Sequence, residues 1–385
     1  MAKHSSRIEL SQSALASNIR FVREVVGSKS EIVMVVKANA YGHGTEQILP
    51  MAERTSVKRF AVASCHEAQE VDAVRGEDTS VVIMGILYDE DLEWTIERGI
   101  EFYVFDLARL REAAKTAKRV GRPARVHLEV ETGGNRTGLA REELTEALKI
   151  LREEKRHFRF EGLCSHLAGA ETLATHFRIK KQIQAFETIR KRVQKGRLRP
   201  EKIHLASSAA SLSLPEATYD LVRVGSAAYG MWPSPDIQNL YLSRTLGKAA
   251  NPLSRVMSWK TDVMHVKPVK QGEFVGYGTS FEAPRNMRVA VMPLGYANGY
   301  PREMSNRGYV LIHGRKAPVV GAVTMNMFMV DVTHNPKVKV GDEVVLIGRQ
   351  KGNVISLRSF SEFSSALNNE FVSRLPAAIP RLVVR

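Results

Sequence analysis

A lysine placed directly after an apolar strand invites one kind of chemistry. In IVMVVKANAYGHG, Lys37 follows the apolar run Ile32–Val36. An amine at the end of a buried strand is expected to be desolvated, which lowers its pKa and leaves a lone pair able to condense with a carbonyl. A lysine after a strand is otherwise ordinary, but the neighbours Asn39, Tyr41, Gly42, His43 and Gly44 make this segment unusual. The two cysteines, Cys65 and Cys164, lie far apart with no CxxC spacing, so neither a disulfide framework nor a metal site is expected. Two free, buried thiols are expected instead, which fits a reducing cytosol.

The elements that must position such a lysine read as alternating strands and helices. Strand candidates are 32–38, 60–64, 80–84, 101–105, 125–131, 160–166, 202–206 and 220–225. Most are continuous apolar runs, which suit parallel strands covered on both faces. Helical patterns such as LARLREAAKTAKRV and REELTEALKILREEKR lie between most of them. Eight strands alternating with helices are what an N-terminal (β/α)8 TIM-type barrel requires, and the count favours it over an open doubly wound sheet. In such barrels catalytic groups gather at the C-terminal ends of the strands, where Lys37 falls. After about residue 240 the long helices stop, and short strands with turn punctuation indicate an all-β domain. The expected division is a barrel at 12–240 and a β domain at 241–385, which residues 1–11 join as a further strand.

Composition narrows the partners. Of 385 residues, 44% are hydrophobic and 25% charged, ordinary for a globular chain. No apolar run approaches the roughly 20 residues that span a bilayer, and the N-terminus has no signal-peptide core, so no membrane association and a cytoplasmic location are expected. The net charge of +15 raises the question of nucleic acid. The densest basic patch, Arg190 to Arg192 with Lys195, Arg197 and Arg199, reads as a solvated helical face, and no nucleic-acid-binding signature accompanies it.

The segment VVKANAYGHG resembles the cofactor-lysine motif of the alanine racemases. So, in the family's usual order, do HLEVETGGNRTGL, SHLAGAE, VRVGSAAYG, VGYGTSF, GYANGYPR, PVVGAVTMNMFMVDVT and RLPAAIPR, which together span nearly the whole chain. The resemblance implies a barrel followed by a β domain, a pyridoxal 5'-phosphate cofactor, and interconversion of L- and D-alanine that supplies D-alanine for peptidoglycan. Lys37 is then the cofactor lysine and one base. Tyr277, between Gly276 and Gly278, is the second base on the opposite face, reaching the site from the partner subunit of a homodimer. A tyrosine is a poor base at neutral pH unless a cation stabilises its phenolate, and by resemblance His166 and Arg223 form that relay. Tyr41, Ser208 and the amides of Gly225 and Ser226 hold the phosphate. Arg223 faces the pyridine nitrogen and, unable to accept a proton, keeps it unprotonated. The Met325 amide and Arg136 meet the substrate carboxylate, and Tyr296 narrows the entrance.

Four departures from the family bear on substrate and mechanism. Glu129 stands where many members have a lysine that is often carbamylated, so a permanent carboxylate is expected to hold Arg136. The alternative is that Glu129 faces solvent. Asn326 and Asn298 stand where aspartates are common, and Asn369 where tyrosine is common. These changes leave room for a serine-tolerant or broader racemase. A barrel-fold decarboxylase or a non-catalytic cofactor-binding protein is disfavoured by the GYGTSF and TMNMFMVDV segments.

Overall fold

The computed structural model describes residues 4–196, 198–244, 251–361 and 368–385, so Arg197 of the basic patch lies outside the described residues. The chain forms two compact units: Ala14–Ala38 with Ile48–Ser254, and Met1–Ser13 with Asn39–Gln47 and Arg255–Arg385. Numbered along the chain, strand β1 (Ser6–Ser11) belongs to the second unit. The next eight are β2 (Glu31–Val35), β3 (Arg59–Ser64), β4 (Ser80–Ile86), β5 (Glu101–Val104), β6 (Ala124–Glu129), β7 (Phe158–Cys164), β8 (Lys202–Ser207) and β9 (Leu221–Val224). They pair in parallel, each with the next, and close as β9 returns to β2, so the doubly wound alternative falls away.

Local sequence explains the helices around this barrel. Helix Leu107–Val120 starts where the Asp106 carboxylate accepts from the Arg109 amide at 2.7 Å, and stops at Gly121 with φ +73°. Its buried face is Leu110, Ala113 and Ala117, at helical spacing. Such caps stabilise a helix by about 1 kcal/mol each. The basic helix His176–Lys195 buries Ile179, Ile183, Phe186 and Val193, while Arg190 pairs with Glu187 on its outer side. Both cysteines are buried and free.

The barrel interior is not purely aliphatic. Glu101, His127, His204 and Arg223 are all buried within its strands. Buried charge is stable only when paired and hydrogen-bonded, and these four residues are.

One expectation about Lys37 needs correction. The apolar run predicted strand through residue 38, but strand pairing ends at Val35 and the chain turns at once. Ala38, Asn39, Ala40 and Tyr41 all take φ between 52° and 54°, giving one left-handed turn over Lys37–Tyr41. Left-handed helix costs roughly 1–2 kcal/mol per non-glycine residue, so the turn must be held by its surroundings. The Glu67 carboxylate accepts from the Ala38 and Ala63 amides, both at 2.7 Å, fastening the turn to the end of β3. Within the other unit, the Asn39 side chain accepts from the Thr45 amide at 2.8 Å. Gly42, at φ +75°, lies where an added Cβ would stand 1.8 Å from the Val372 carbonyl oxygen. Because the turn leaves the barrel wall, Lys37 is exposed, not desolvated.

The second unit is antiparallel apart from one pairing. Its strands are β1 with β10 (Met257–Asp262), β11 (His265–Val269), β12 (Met287–Met292), β13 (Tyr309–Ile312), β14 (Arg315–Val320), β15 (Phe328–Asp331), β16 (Glu343–Gln350), β17 (Asn353–Ile355) and β18 (Arg381–Val384). The sheet order is β11-β12-β15-β14-β13-β16-β10-β1-β18, with β17 on β16 and β1 parallel to β18. In β10 the alternating residues Met257, Trp259 and Thr261 are buried, the pattern of a sheet with one covered face. Val269, Val275, Met287, Val289 and Val320 form a core under the segment that carries Tyr277, with Phe281 and Met329 packed against it.

Candidate active site

Three adjacent barrel strands bring the first group together. Register places Arg223 of β9 beside Val33 of β2 and beside Ser207 of β8. Ser208 therefore begins the turn after β8, Gly225 and Ser226 follow β9, and Lys37 follows β2. The Tyr229 hydroxyl donates to the Val35 carbonyl at 2.9 Å, tying the loop after β9 to the end of β2. Gly225 was read as a bare phosphate donor. Its amide instead donates to the Ser208 hydroxyl at 2.9 Å and orients it. Beyond it, the amides of Ser226 and Ala227 donate to no protein group among the described residues, although both residues are buried. Ala227 was missed in the sequence, because only its backbone participates. Tyr41 ends the left-handed turn, and burial raises its hydroxyl to about 12, so it stays a protonated donor.

Arg223 is buried and fully engaged on its inner side. It donates to His204 Nδ1 at 2.7 Å and to the carbonyls of Ser165 at 2.8 Å and Leu205 at 3.0 Å. The expected relay between Arg223 and His166 is therefore not made by a hydrogen bond. The guanidinium turns toward the barrel interior, and His166 feels it only as charge. Burial first, and then the positive charges of Arg223, Arg136 and Lys37, push His166 down to about 3. That shared field places Lys37, Arg136, His166 and Arg223 around one mouth.

The loop after β6 carries Arg136. Glu131 was not singled out in the sequence, yet it shapes this loop: its carboxylate accepts from the amides of Gly133, Gly134 and Asn135. Burial works against that charge, but the amide bonds win and lower its pKa. Glu129, the last residue of β6, is 4% exposed, so it does not face solvent. Its firm contact is the Thr137 hydroxyl at 2.8 Å, while Arg136 approaches only to 3.9 Å and is 64% exposed. An ion pair that loose stabilises little by itself. Glu129, Arg136, Ser165 and His166 line a small cleft.

The second unit presents the other sequence candidates on linked loops. Tyr277 is 79% exposed between Gly276 and Gly278, at φ +78° and +71°. Asn306 donates to the Ser280 carbonyl at 3.0 Å and accepts from the Gly321 amide at 2.6 Å, joining the Tyr277 loop to the strand end that precedes Met325. The amides of Tyr296 and Ala297 donate to the carbonyls of Thr324 and Met325, at 3.1 and 3.0 Å. Among the described residues the Met325 amide donates to no protein group. Asn326 reaches Asn298 at 3.5 Å, an approach of two amides that two aspartates would oppose. Asn369 is half-buried in the helix Asn368–Ser373.

With this geometry in view, comparison with known proteins is decisive. The alanine racemase N-terminal domain model matches residues 10–233 and the C-terminal domain model matches residues 256–383. The chain belongs to the alanine racemase family. An alanine racemase of Symbiobacterium thermophilum is 34% identical, over 97% of this chain and 95% of that one. The solved alanine racemase of Bartonella henselae, with covalently bound pyridoxal phosphate, superposes with a TM-score of 0.84 at 27% identity, covering 99% of this chain and all of that one. A histidine racemase of Leuconostoc mesenteroides superposes with a TM-score of 0.88 at 26% identity, over 100% and 99% of the two chains.

One buried and one half-buried histidine set an acid limit on the fold. Burial lowers His43 to about 4, as burial and positive neighbours lower His166 to about 3. An unfolded histidine takes up its proton near pH 6.5, so below that pH the unfolded chain binds more protons than the folded one. Stability is full above about pH 6.5 and falls with acid down to about pH 4, by up to about 1.4 kcal/mol per histidine per pH unit. Thermal midpoints are expected to drop steadily from pH 7 to pH 5, with a shallower drop in His43→Gln and in His166→Gln. Equal slopes in all three proteins would contradict the assignment.

Proposed function

We propose that this alanine racemase uses Lys37 and Tyr277 as opposed bases, which take a proton from one face of Cα and return one to the other. The observation that carries this reading is the gathering of an amine, two undonated buried amides and a donor-only guanidinium at the ends of three adjacent barrel strands. These residues fit pyridoxal phosphate. Lys37 supplies the amine for its aldehyde. Tyr41, Ser208, oriented by Gly225, and the amides of Ser226 and Ala227 supply phosphate donors, and Arg223 meets the ring nitrogen. When bound, the cofactor withdraws electrons from the substrate and makes its Cα proton acidic.

The chain's own groups do the rest. Arg223 can donate but not give up its proton, so it would leave the nitrogen it faces an acceptor and would favour racemisation over transamination. His166 is held neutral and passes protons as an imidazole. The Met325 amide and Arg136 bind the α-carboxylate, and Tyr296 narrows the entrance. Tyr277 needs a cationic surrounding to act as a base, and the barrel mouth of a partner subunit supplies one. Support for a homodimer with shared sites comes from Tyr277, Tyr296 and Met325, all large, exposed and on linked loops. Among the described residues no helix is long and apolar enough to cross a membrane. A cytoplasmic enzyme making D-alanine for peptidoglycan is the role that the family resemblance implies. The amide pair Asn298–Asn326 and the small Asn369 extend the reading to serine as a slower substrate.

The test is Cα proton exchange. In D2O with added pyridoxal phosphate, L-alanine is expected to gain deuterium as D-alanine appears, and Lys37→Ala and Tyr277→Phe each to lose racemisation by more than about 100-fold, as removal of an acid–base group does. Mixing the two inactive variants under subunit exchange is expected to restore part of the activity. Full racemisation by Tyr277→Phe would overturn the two-base reading. Carbon dioxide release would point to decarboxylation.

Glu129 is tested separately. With a carboxylate orienting Arg136, Glu129→Ala is expected to raise the KM for alanine about two- to fivefold, the scale of a loose, partly exposed ion pair, while Glu129→Asp recovers most of it. An unaffected Glu129→Ala enzyme would remove Glu129 from the site.

A further inference from the structure

Behind Arg223 runs a buried chain that the proposed chemistry leaves unused. Arg223 meets His204 Nδ1 at 2.7 Å, His204 Nε2 meets His127 Nδ1 at 2.9 Å, and His127 Nε2 meets Glu101 Oε2 at 2.8 Å. Beyond it, Glu101 Oε1 is held by Arg59 at 2.7 Å and Arg125 at 2.8 Å. Glu101 is 0% exposed, His127 1% and His204 2%. The chain runs through the barrel interior from the first residue of β5 to the mouth. Space has been cleared for it: a Cβ at Gly162 would stand 2.0 Å from His127 Nδ1. The Tyr103 ring lies 5.8 Å from each imidazole and walls off one side.

Its direction is dictated by the residue types. A guanidinium only donates, so His204 Nδ1 must accept and its proton sits on Nε2. That proton goes to His127 Nδ1, so the proton of His127 sits on Nε2 and goes to Glu101. A doubly protonated His127 would leave His204 with no proton at all, so both imidazoles are neutral. Burial and the charge of Arg223 hold His204 well below its usual range, in keeping with this. Hydrogen bonds aligned in one sense polarise one another, and the carboxylate at the far end strengthens each acceptor up to His204 Nδ1.

We propose that Glu101, acting through His127 and His204, is a positioning residue that fixes Arg223 as an immobile, donor-only cation at the mouth and so sets how strictly the enzyme racemises. The inference rests on the reading that Arg223 faces the cofactor's ring nitrogen. Glu101 touches neither substrate nor cofactor. Its effect lies in the orientation of the guanidinium three hydrogen bonds away.

Two measurements test it. In the cofactor-free wild-type protein, 15N–1H spectra of histidine-labelled material are expected to show two exchange-protected rings, both protonated on Nε2 only, from pH 5.5 to 8. An Nδ1–H signal or an imidazolium from either ring would overturn the chain. In the cofactor-loaded enzyme, Glu101→Gln keeps the shape and removes the charge. It is expected to raise, about tenfold relative to racemisation, the side reaction in which alanine gives its amino group to the cofactor and leaves as pyruvate, the scale of one charge-assisted hydrogen bond. A merely structural role would lower both rates and the thermal midpoint together and leave their ratio unchanged, which would refute the proposal. Should Glu101→Gln fail to fold, His127→Gln carries the same expectation. A wild-type enzyme that exchanges no Cα proton would instead refute the functional reading beneath it.

Discussion

The site depends on a guanidinium that is buried and can only donate. Arg223 sits inside the barrel with three of its five N–H donors held by one imidazole and two carbonyls. A buried cation is tolerable only when its surroundings accept from it, so β8 and the end of β7 must present acceptors at fixed places. Ser165 and Leu205 do this with backbone, and His204 with a ring nitrogen. Once that cation is fixed, much else at the mouth follows. His166 is kept neutral beside it, and a carboxylate deep in the barrel balances the charge. Glu101, shared among Arg59, Arg125 and His127, is that carboxylate.

The second constraint is strain at the lysine. A left-handed turn of four residues without glycine persists only because neighbours overdetermine it. Glu67 holds its first amide from the barrel side, and Asn39 and Gly42 fix its far end. The result is a lysine on a rigid turn at the barrel mouth, exposed but positioned.

Much of this was legible in the residues. The eight barrel strands fall within a few residues of the apolar runs, because strands covered on both faces carry an unbroken signal. The barrel's motif segments contain Lys37, Arg136, His166 and Arg223, which lie together at the strand ends. What escaped notice has physical reasons. The left-handed turn is invisible to hydrophobic periodicity, since it is encoded by contacts from Glu67 and Val372, remote in sequence. His127 and His204 read as single polar interruptions in RVHLE and KIHLA. Only their pairing across the barrel, set by strand register, gives them meaning. A titratable residue in the middle of a strand otherwise buried on both faces is the signal that would have found them. Arg223 was recognised, but its hydrogen bond to His204 was not, because sequence order cannot say which way a side chain turns.

The most direct measurement of the central claim concerns the nitrogen that Arg223 is read to face. Enzyme loaded with ring-15N pyridoxal phosphate and examined by 15N NMR is expected to show an unprotonated pyridine nitrogen across neutral pH, shifting toward the protonated value when Arg223 is replaced by glutamate. A pyridinium signal in the unaltered enzyme would contradict the account, because a group that can only donate could not then be its partner.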